Sequence, residues 1–576
     1  MPHIETDVLV VGAGAAGMYA AMAAAKAGAD VVLVDRSLVG RGGATIMAQM
    51  TVAAALGETE PDHWVRHLAD TLAAGRGLCN EELAAILCKE APDRIRELDD
   101  WKVGWARNED GGIRAVKAPG HQAQRCVYVD FLNTGPAVAR TMRVQVSRTK
   151  GVSRVSGLAI RDLVVNDGRV VGAIGVNVDD GAVVTIAAKA VVLAAGGLTK
   201  LFRRNSASTN MAGDAYAMAL RAGADLIDME FPQFFPIGHL APRLVGMDPI
   251  MWDPFRYKLG GRLLNGNMED FLENYGASDR GTYTAPRDVT SYAIVKENEA
   301  GRGSPHGGAY LSFMHVPEDK LREAFGPVID LLAKNGIDLA TMPVEVAPIA
   351  HYHMGGIRVN GQMETIVPGL YAAGEAVGGA NGANRLSGNA IPEAFVFGER
   401  AGRFAAALAS EIQHGWTDEA AKPALDLIAA IHTRANASTT EHPASTGALW
   451  TELQALMWDK VGLMRSEESL TEALARLREM QSRDLAEVAL APGETHNATV
   501  EDWFELRSAL MTAESIALAA LNRRESRGAH QRLDHTETDR TYEKNQVISL
   551  SGNGLHTDWV PIVRCDFDFA TTGEAA

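Results

Sequence analysis

Gly12, Gly14 and Gly17 have the spacing of residues that hold the pyrophosphate of a dinucleotide. In such a site the first glycine permits a tight turn, the second lets the backbone approach the pyrophosphate, and the third lets a helix pack close to a strand. Asp35 follows at the end of the next apolar run, where a carboxylate can accept hydrogen bonds from a ribose diol. These four residues predict that the chain binds a dinucleotide.

The segments around these residues are those needed to position them. Residues 8–11 are aliphatic, which is typical of a buried parallel strand. Residues 15–27 are mostly small and predict a helix, which Gly28 ends. Residues 31–34 form a second aliphatic run just before the acid. The order of strand, glycine turn, helix, strand and acid predicts a dinucleotide-binding βαβ unit.

Composition and charge restrict the class of protein. The chain has 576 residues, of which 47% are hydrophobic and 22% charged, as in globular proteins of several domains. Its net charge of −17 argues against binding to nucleic acids or anionic membrane surfaces. No apolar run reaches the length of a membrane span, and the first residues lack the basic segment of a signal peptide. The sequence therefore predicts a cytoplasmic protein without a membrane segment of its own.

The four cysteines, Cys79, Cys88, Cys126 and Cys565, are far apart and form no Cys-x-x-Cys pair. We therefore predict no metal site and no iron–sulfur cluster held by this chain alone. Scattered cysteines are also typical of a reducing compartment.

Further strands follow the first unit. Residues 158–178 predict a β-hairpin with its turn at residues 166–168, and residues 187–195 predict a buried strand. This last strand ends in Ala195 and Gly196, and such small residues suit close passage of a nucleotide.

Changes in pattern divide the chain into four predicted segments. Residues 1–240 contain the strand–helix alternation, whereas residues 241–345 lose it and are rich in glycine, proline and aromatic residues, which predicts an inserted domain. Residues 346–415 return to a glycine-rich, nucleotide-binding character. Residues 416–576 are charged and periodic, which predicts a helical domain.

The number of dinucleotide motifs indicates the cofactor. An enzyme that binds both NAD and FAD needs two such motifs, and only one follows a strand in this sequence. One dinucleotide is therefore expected, and FAD is the better candidate. The glycine-rich segment 369–388 is expected to wrap the rest of this long cofactor.

Four longer motifs carry a family resemblance. They are His-Tyr-His-Met-Gly-Gly at 351–356, Val-Pro-Gly-Leu-Tyr-Ala-Ala-Gly-Glu at 367–375, Gly-Ala-Asn-Arg-Leu at 382–386 and Glu-Ser-Arg-Gly-Ala-His at 525–530. From about residue 5 to about residue 545 the chain resembles the flavoprotein subunits of succinate dehydrogenase and fumarate reductase, and their relative L-aspartate oxidase. The resemblance implies an α/β fold: a Rossmann-like FAD-binding domain with an inserted α+β capping domain and a C-terminal helical domain.

The same resemblance implies catalytic and substrate-binding residues. Arg287 lies where the family has its proton-donating arginine, in the segment Pro-Arg-Asp-Val. Arg385 lies where the family clamps a substrate carboxylate, for which a guanidinium fork is suited. His351 matches the histidine that hydrogen-bonds this carboxylate, and Glu375 matches the acid that holds the ribityl chain of the flavin.

A helix that opens near residue 390 is expected to point its N-terminus at the flavin, which stabilises the anionic reduced form. Together, the motif and the resemblance assign a set of residues to FAD. These are Gly12, Gly14, Ala16, Gly17, Asp35, Arg36, Gly43, Ala44, Thr45, Gln49, Ala195, Gly196, Asp214, Gly374, Glu375, Arg385, Ser387, Asn389, Ala390 and Ile391.

The chain departs from the family at several positions. Ala44 replaces the histidine that attaches FAD covalently in the dehydrogenases, so we predict non-covalent FAD. Phe235 replaces a histidine that binds the far carboxylate of succinate, and Asn381 replaces another histidine. The segment 251–261 is also rewritten. The simple C4 dicarboxylates are therefore doubtful substrates, because a buried carboxylate without a donor is costly.

New donors for a far carboxylate remain conceivable at His239, Arg256 and Lys258. Without them, the substrate-binding residues Phe235, Arg287, His351 and Arg385 favour a longer or less polar carboxylic acid.

The predicted activity is hydride exchange between flavin N5 and the C–C bond next to a carboxylate, with enoate reduction favoured over the reverse dehydrogenation. Arg287 is the predicted proton shuttle. One alternative is an amino acid oxidase that resembles L-aspartate oxidase. Another is the flavoprotein subunit of an iron–sulfur electron-transfer complex, and such a partner would place the protein at a membrane periphery.

Overall fold

The structure is a computed structural model in which helices and strands alternate through the first half of the chain. It describes residues 3–48, 51–130, 132–206, 208, 210–245, 247, 249–252, 255–256, 259–276, 286–437, 445–493, 495 and 497–567. The helices are α1 Ala15–Lys26, α2 Gly43–Met47, α3 Trp64–Ala74, α4 Glu81–Asp100, α5 Thr134–Arg148, α6 Asp214–Arg221, α7 Arg287–Glu299, α8 Glu318–Phe325, α9 Val328–Lys334, α10 Ala390–Glu411, α11 Asp418–Ala437, α12 Thr446–Val461, α13 Glu467–Glu479, α14 Leu485–Glu487 and α15 Ala498–Asn522. Among the described residues, no helix combines the length and the apolar character needed to cross a lipid bilayer.

The strands form several sheets. They are β1 His3–Val11, β2 Val31–Asp35, β3 Val52–Ala53, β4 Ala115–Val116, β5 Cys126–Val127, β6 Val152–Ser156, β7 Leu158–Asn166, β8 Arg169–Asn177, β9 Val183–Leu193, β10 Leu226–Ile227, β11 Pro232–Ala241, β12 Arg262–Leu264, β13 Ala309–Ser312, β14 Val344–His353, β15 Gly356–Ile357, β16 Leu370–Ala372, β17 Met464–Arg465, β18 Gln531–Arg532, β19 Asn545–Ser551 and β20 Gly554–Val560.

The largest sheet carries the predicted βαβ unit. Its strands lie in the order β6-β2-β1-β9-β8-β7, and β16 also pairs with β9. β1 lies between two parallel neighbours, with Val10 opposite Leu33 of β2 and Val192 of β9. These side chains are fully buried, which explains the continuous aliphatic runs. The predicted strand, helix and strand are confirmed in that order.

The predicted hairpin is formed by β7 and β8. Asp167 and Gly168 join the two strands, with φ angles of +50° and +74°. Two successive positive φ angles are typical of a type I′ turn, whose twist matches that of antiparallel strands. β8 then pairs antiparallel with β9 and extends the sheet.

Helices α1 and α10 pack against each other through small residues. A Cβ at Gly398 would lie 2.4 Å from the carbonyl oxygen of Ala16, and one at Gly402 would lie 2.1 Å from that of Ala20. The second contact lies four residues after the first along both helices, so the helices run parallel. Their N-termini therefore open at the same end of the molecule.

A second sheet, of order β11-β14-β13-β12, has a hydrophobic core of its own. Its four strands pair antiparallel, and α7 packs against β11 and β14. These elements form the α+β unit expected of a capping domain. β11 and β14 lie mostly outside the predicted insert 241–345, which they flank on either side.

The C-terminal part of the chain is mainly helical, as predicted. α12, α13 and α15 pack together, and α15 also contacts α6 of the first part. The sequence analysis did not predict the hairpin of β19 and β20. β19 pairs with β10, so this hairpin joins the end of the chain to the FAD-binding part.

Candidate active site

The turn between β1 and α1 forms a cradle of bare backbone. Gly12 has a φ of +99°, which favours glycine, and a Cβ there would lie 2.4 Å from the Ala194 carbonyl oxygen. Gly14 precedes α1 and has no side chain to cap the first N–H groups of the helix. A Cβ at Gly17 would lie 1.8 Å from the Gly12 carbonyl oxygen. The turn therefore suits a pyrophosphate, which needs close backbone approach.

Asp35 lies beside this turn, at the end of β2. One carboxylate oxygen accepts a hydrogen bond from the Ala13 N–H at 2.8 Å. The other accepts from the N–H and the hydroxyl of Ser37, at 2.8 and 2.7 Å. These bonds fix the carboxylate at the wall of a cavity, where its remaining lone pairs can accept from a ribose diol.

The cavity in front of the turn encloses about 1060 Å³ of empty space, including the part open to solvent. Arg36 and Asp214 line an adjoining cavity, and Arg36 also forms an ion pair with Glu505. Most of the predicted FAD residues line the larger cavity, namely Gly12, Gly14, Ala16, Asp35, Gly43, Ala44, Thr45, Ala195, Gly196, Gly374, Glu375, Ala390 and Ile391.

Two predicted FAD residues lie behind the wall of this cavity rather than in it. Gly17 packs against the turn, as described above. The side chain of Asn389 points away, to His67 Nε2 at 2.9 Å and to the hydroxyl of Thr71 at 3.1 Å. Both residues can therefore support the cofactor site without lining it. Gln49 lies outside the described residues.

Two helix N-termini open into the cavity, those of α1 and α10. Neither N-cap residue caps its helix with a side chain, because Gly14 has none and Asn389 is engaged elsewhere, although the Ala15 N–H of α1 donates to the Thr45 hydroxyl at 3.0 Å. Uncapped N–H groups and the helix dipole attract negative charge. Burial also raises the pKa of Glu375 to about 8, so this acid retains a proton near neutral pH and can donate it to a hydroxyl. These features fit FAD, whose pyrophosphate is anionic and whose flavin becomes anionic on reduction.

A smaller cavity adjoins the first and contains the predicted catalytic residues. Arg287, the first residue of α7, and His351, near the end of β14, lie on its wall with Arg385 and Ser387 from the loop before α10. Phe235 of β11 completes this wall. Elements far apart in the sequence therefore place all four predicted substrate-binding residues around one space, next to the cradle.

The charges in the smaller cavity suit a carboxylate. The guanidinium of Arg287 lies 5.2 Å from the centre of the Phe235 ring, and that of Arg385 lies 4.3 Å from the centre of the Tyr352 ring. Burial and then the charge of Arg287 lower the pKa of Arg385 to about 10. Burial and both arginines hold the pKa of His351 well below its usual range, so its ring is neutral. The buried Nε–H of Arg385 has no acceptor among the described residues and is available for an anion.

Phe235 and Ile250 form an apolar part of the wall of the smaller cavity, and the centre of the Phe235 ring lies 5.6 Å from that of the His351 ring. Phe235 belongs to the hydrophobic core of the capping domain, and Ile250 lies on the cavity wall beside it. His239 does not line this cavity, because its ring bonds the Pro242 carbonyl oxygen and the Trp252 indole N–H. Arg256 is fully buried elsewhere in the capping domain, and Lys258 lies outside the described residues.

Several residues near the site were missed by the sequence analysis. The Tyr352 hydroxyl and the Asn381 amide both donate to one carboxylate oxygen of Glu393, at 2.8 and 2.7 Å. Glu393 thereby supports the tyrosine ring beneath Arg385, and burial raises its pKa to about 7. No local pattern joins these three positions, although Asn381 was noted as a departure from the family.

Comparison with known proteins places the chain among flavoproteins. It matches the FAD binding domain family over residues 7–391 and the fumarate reductase flavoprotein C-terminal family over residues 450–565. It is 33% identical over 549 residues to one subunit of the fumarate reductase (CoM/CoB) of Methanothermobacter marburgensis, and the match covers 95% of this chain and 97% of that one. The chain belongs to the fumarate reductase and succinate dehydrogenase flavoprotein family.

Other members of this family are similar over nearly the whole chain. The L-aspartate oxidase of Streptomyces coelicolor is 34% identical over 570 residues, covering 97% of this chain and 94% of that one. The solved structure of a quinol fumarate reductase from E. coli superposes with a TM-score of 0.91 at 30% identity, covering 99% of both chains. This flavoprotein is therefore an FAD-dependent oxidoreductase, and the predicted fold class is confirmed.

Proposed function

We propose that this flavoprotein reduces the C=C bond of an unsaturated carboxylic acid next to its carboxylate, or catalyses the reverse dehydrogenation. One observation carries the proposal: Arg287, His351 and Arg385 surround a single cavity that adjoins the dinucleotide cradle. Two guanidinium groups and a neutral imidazole suit one carboxylate. The residues of the cradle would hold FAD, which would supply the hydride chemistry.

Binding and proton transfer fall to different residues in this proposal. Arg385 pairs with the substrate carboxylate, and His351 donates a second hydrogen bond to it. Arg287 gives a proton to the carbon next to the one that receives the hydride, so that two electrons and two hydrogens are added.

The apolar wall formed by Phe235 and Ile250 supports a substrate with one carboxylate. Phe235 and Ile250 have no hydrogen-bond donor for a second carboxylate, so that group would have to share with the first one the Arg287 guanidinium, which lies 5.2 Å from the centre of the Phe235 ring. We therefore propose a 2-enoate whose other end is apolar, such as crotonate or a longer analogue.

A flavin reoxidation assay tests this substrate class. The protein is photoreduced without oxygen and then mixed with fumarate, crotonate or cinnamate while flavin absorbance is followed. We expect the two monocarboxylates to reoxidise the flavin faster than fumarate. Fast reoxidation by fumarate alone would contradict the proposal.

Replacing Phe235 with histidine should shift the preference toward fumarate. A hydrogen bond to a charged group contributes about 1.5–3 kcal/mol, so kcat/KM for fumarate relative to crotonate should rise about tenfold or more. The control is Phe235→Leu, which changes the shape of the pocket without adding a donor. An equal rise in both variants would show that space, and not hydrogen bonding, limits fumarate.

We further propose that FAD is bound without a covalent bond. Ala44 lines the cradle, and a methyl side chain has no atom that can attach a flavin. Acid precipitation should therefore release all of the flavin into the supernatant. A fluorescent protein band on a denaturing gel would contradict this prediction.

The electrons are proposed to pass through a partner protein. Several relatives bear the name flavoprotein subunit, and the sequence carries one dinucleotide motif rather than the two needed to bind NAD beside FAD. Co-purification of a brown iron–sulfur protein with this chain from its native cells would support the proposal.

An amino acid oxidase is a second candidate, because the L-aspartate oxidase of Streptomyces coelicolor is 34% identical. Among the described residues, however, no acid lines the smaller cavity that could bind a substrate ammonium group. Peroxide release on aerobic mixing with L-aspartate would favour this candidate over enoate reduction.

A further inference from the structure

We propose that Ser206 holds the hydrogen of the neutral His351 imidazole on Nε2, which makes Ser206 a positioning residue for the substrate carboxylate. The role in substrate binding and the position of the ring hydrogen both rest on the proposed function, and the ring signals below test the second without any substrate. Ser206 lies in the loop after β9, far in sequence from His351, and the sequence analysis gave it no role.

The backbone holds Ser206 in register with the histidine. The N–H of Ser206 donates to the carbonyl oxygen of Ala350 at 3.0 Å, and the preceding residue, Asn205, forms a β-bridge with Ala350. Because Ala350 directly precedes His351, this pairing brings the serine hydroxyl to the ring. The hydroxyl oxygen lies 2.9 Å from His351 Nδ1.

The direction of this hydrogen bond depends on which ring nitrogen of His351 carries the hydrogen. The serine hydroxyl has one hydrogen, and its two acceptors are Nδ1 at 2.9 Å and the Ala350 carbonyl oxygen at 3.4 Å. The carbonyl oxygen already accepts the serine N–H. The 2.9 Å distance fits a hydroxyl that donates to a bare Nδ1 and equally one that accepts from a protonated Nδ1. We assign the donation to the hydroxyl, because the opposite ring nitrogen then carries the hydrogen that a substrate carboxylate requires. A neutral ring that accepts at Nδ1 carries its hydrogen on Nε2.

The position of the ring lets this tautomer donate a hydrogen bond into the smaller cavity. Ser206 lines only the larger cavity, whereas His351 lines both cavities. The ring edge opposite Ser206 therefore faces the smaller cavity, where Arg287 and Arg385 lie. There an N–H donates to a carboxylate, whereas a lone pair would repel it. A ring that stays neutral also leaves the proton transfer to Arg287.

Nuclear magnetic resonance tests the tautomer without any substrate. The FAD-loaded protein is produced with ring-¹⁵N histidine, and the His351 signals are assigned by their loss in His351→Gln. We expect a protonated Nε2 and a bare Nδ1 in the wild type around neutral pH. A proton on Nδ1, or a doubly protonated ring, would overturn the proposal.

Ligand binding tests the role of Ser206 in positioning. The dissociation constant of crotonate is measured by the change in flavin absorbance for wild type, Ser206→Ala and Ser206→Thr. Loss of one ordinary hydrogen bond predicts binding weaker by about 2- to 12-fold in Ser206→Ala. Ser206→Thr keeps the hydroxyl and should bind crotonate like the wild type.

The double variant separates positioning from a general structural effect. In the His351→Gln background, Ser206→Ala should leave the dissociation constant unchanged, because the ring it positions is gone. The same weakening in both backgrounds would overturn the positioning role. If crotonate does not bind at all, the proposed substrate class fails, and the ring ¹⁵N signals of wild type and Ser206→Ala still decide the proposal.

Discussion

Turnover of an enoate is expected to fall about 10²–10⁴-fold when Arg287 is replaced with alanine, which is the usual loss for a general acid. Arg287 lines the substrate cavity and lies against the Phe235 ring, so its removal takes away the proposed proton source and a nearby positive charge. FAD should remain bound, because Arg287 does not line the larger cavity.

Steady-state rates with crotonate and a reduced viologen dye measure this effect, and the flavin spectrum reports FAD content. Arg287→Lys keeps a positive charge and an N–H acid but loses the planar guanidinium, so it tests whether the shape of the group is required. Lys296→Ala is a matched control on the same helix. Lys296 does not line the cavity, and its ammonium donates to the Glu299 carboxylate at 2.7 Å. Near-normal turnover of Arg287→Ala would mean that another group delivers the proton.

The second large effect is expected for Gly17→Ala. The new Cβ would lie 1.8 Å from the Gly12 carbonyl oxygen, a contact that only a shift of backbone can relieve. Overpacking of this kind costs about 1–3 kcal/mol, and moving α1 away from the turn should weaken FAD binding about 5- to 150-fold. The measurements are the FAD content of the purified protein and its melting temperature with and without added FAD.

Gly447→Ala is the matched control for this variant. Gly447 lies in the first turn of α12, and a Cβ there would have only the Ser445 hydroxyl within 4 Å, at 3.9 Å. This control should keep its FAD and its stability. If Gly17→Ala also kept full FAD content and melting temperature, the turn and α1 would have to be much less rigid than their packing indicates.

The sequence predicted those parts of the protein that local patterns determine. The run from Gly12 to Asp35 predicts a strand, turn and helix because each glycine permits a close backbone contact or a positive φ angle within the same short segment. The hairpin was equally local, since its turn needs two positive φ angles at Asp167 and Gly168. The convergence of Arg287 and Arg385 is not local, and it was expected only because longer motifs resemble a known family.

Contacts between segments that are distant in the chain could not be predicted from the sequence. β19 pairs with β10, where the side-chain amide of Asn545 donates to the Asp228 carboxylate at 2.6 Å. Nothing near either residue indicates the other. The same holds for Ser206, whose hydroxyl gains its role only when the loop pairs with Ala350. Residues that support a site are therefore harder to predict than residues that form it.

The close packing of α1 and α10 fixes the distance between their N-termini, and this distance suits a cofactor of a particular length. Gly398 and Gly402 allow the backbones of the two helices to touch, so neither helix can slide or tilt without a clash. The two uncapped N-termini are thereby held a fixed span apart, and we expect one to receive the pyrophosphate and the other the flavin. FMN, which lacks the adenylate half, would leave the carboxylate of Asp35, the predicted ribose-binding group, without a ligand. The protein would then discriminate FAD from FMN by the length of the cofactor as well as by its functional groups.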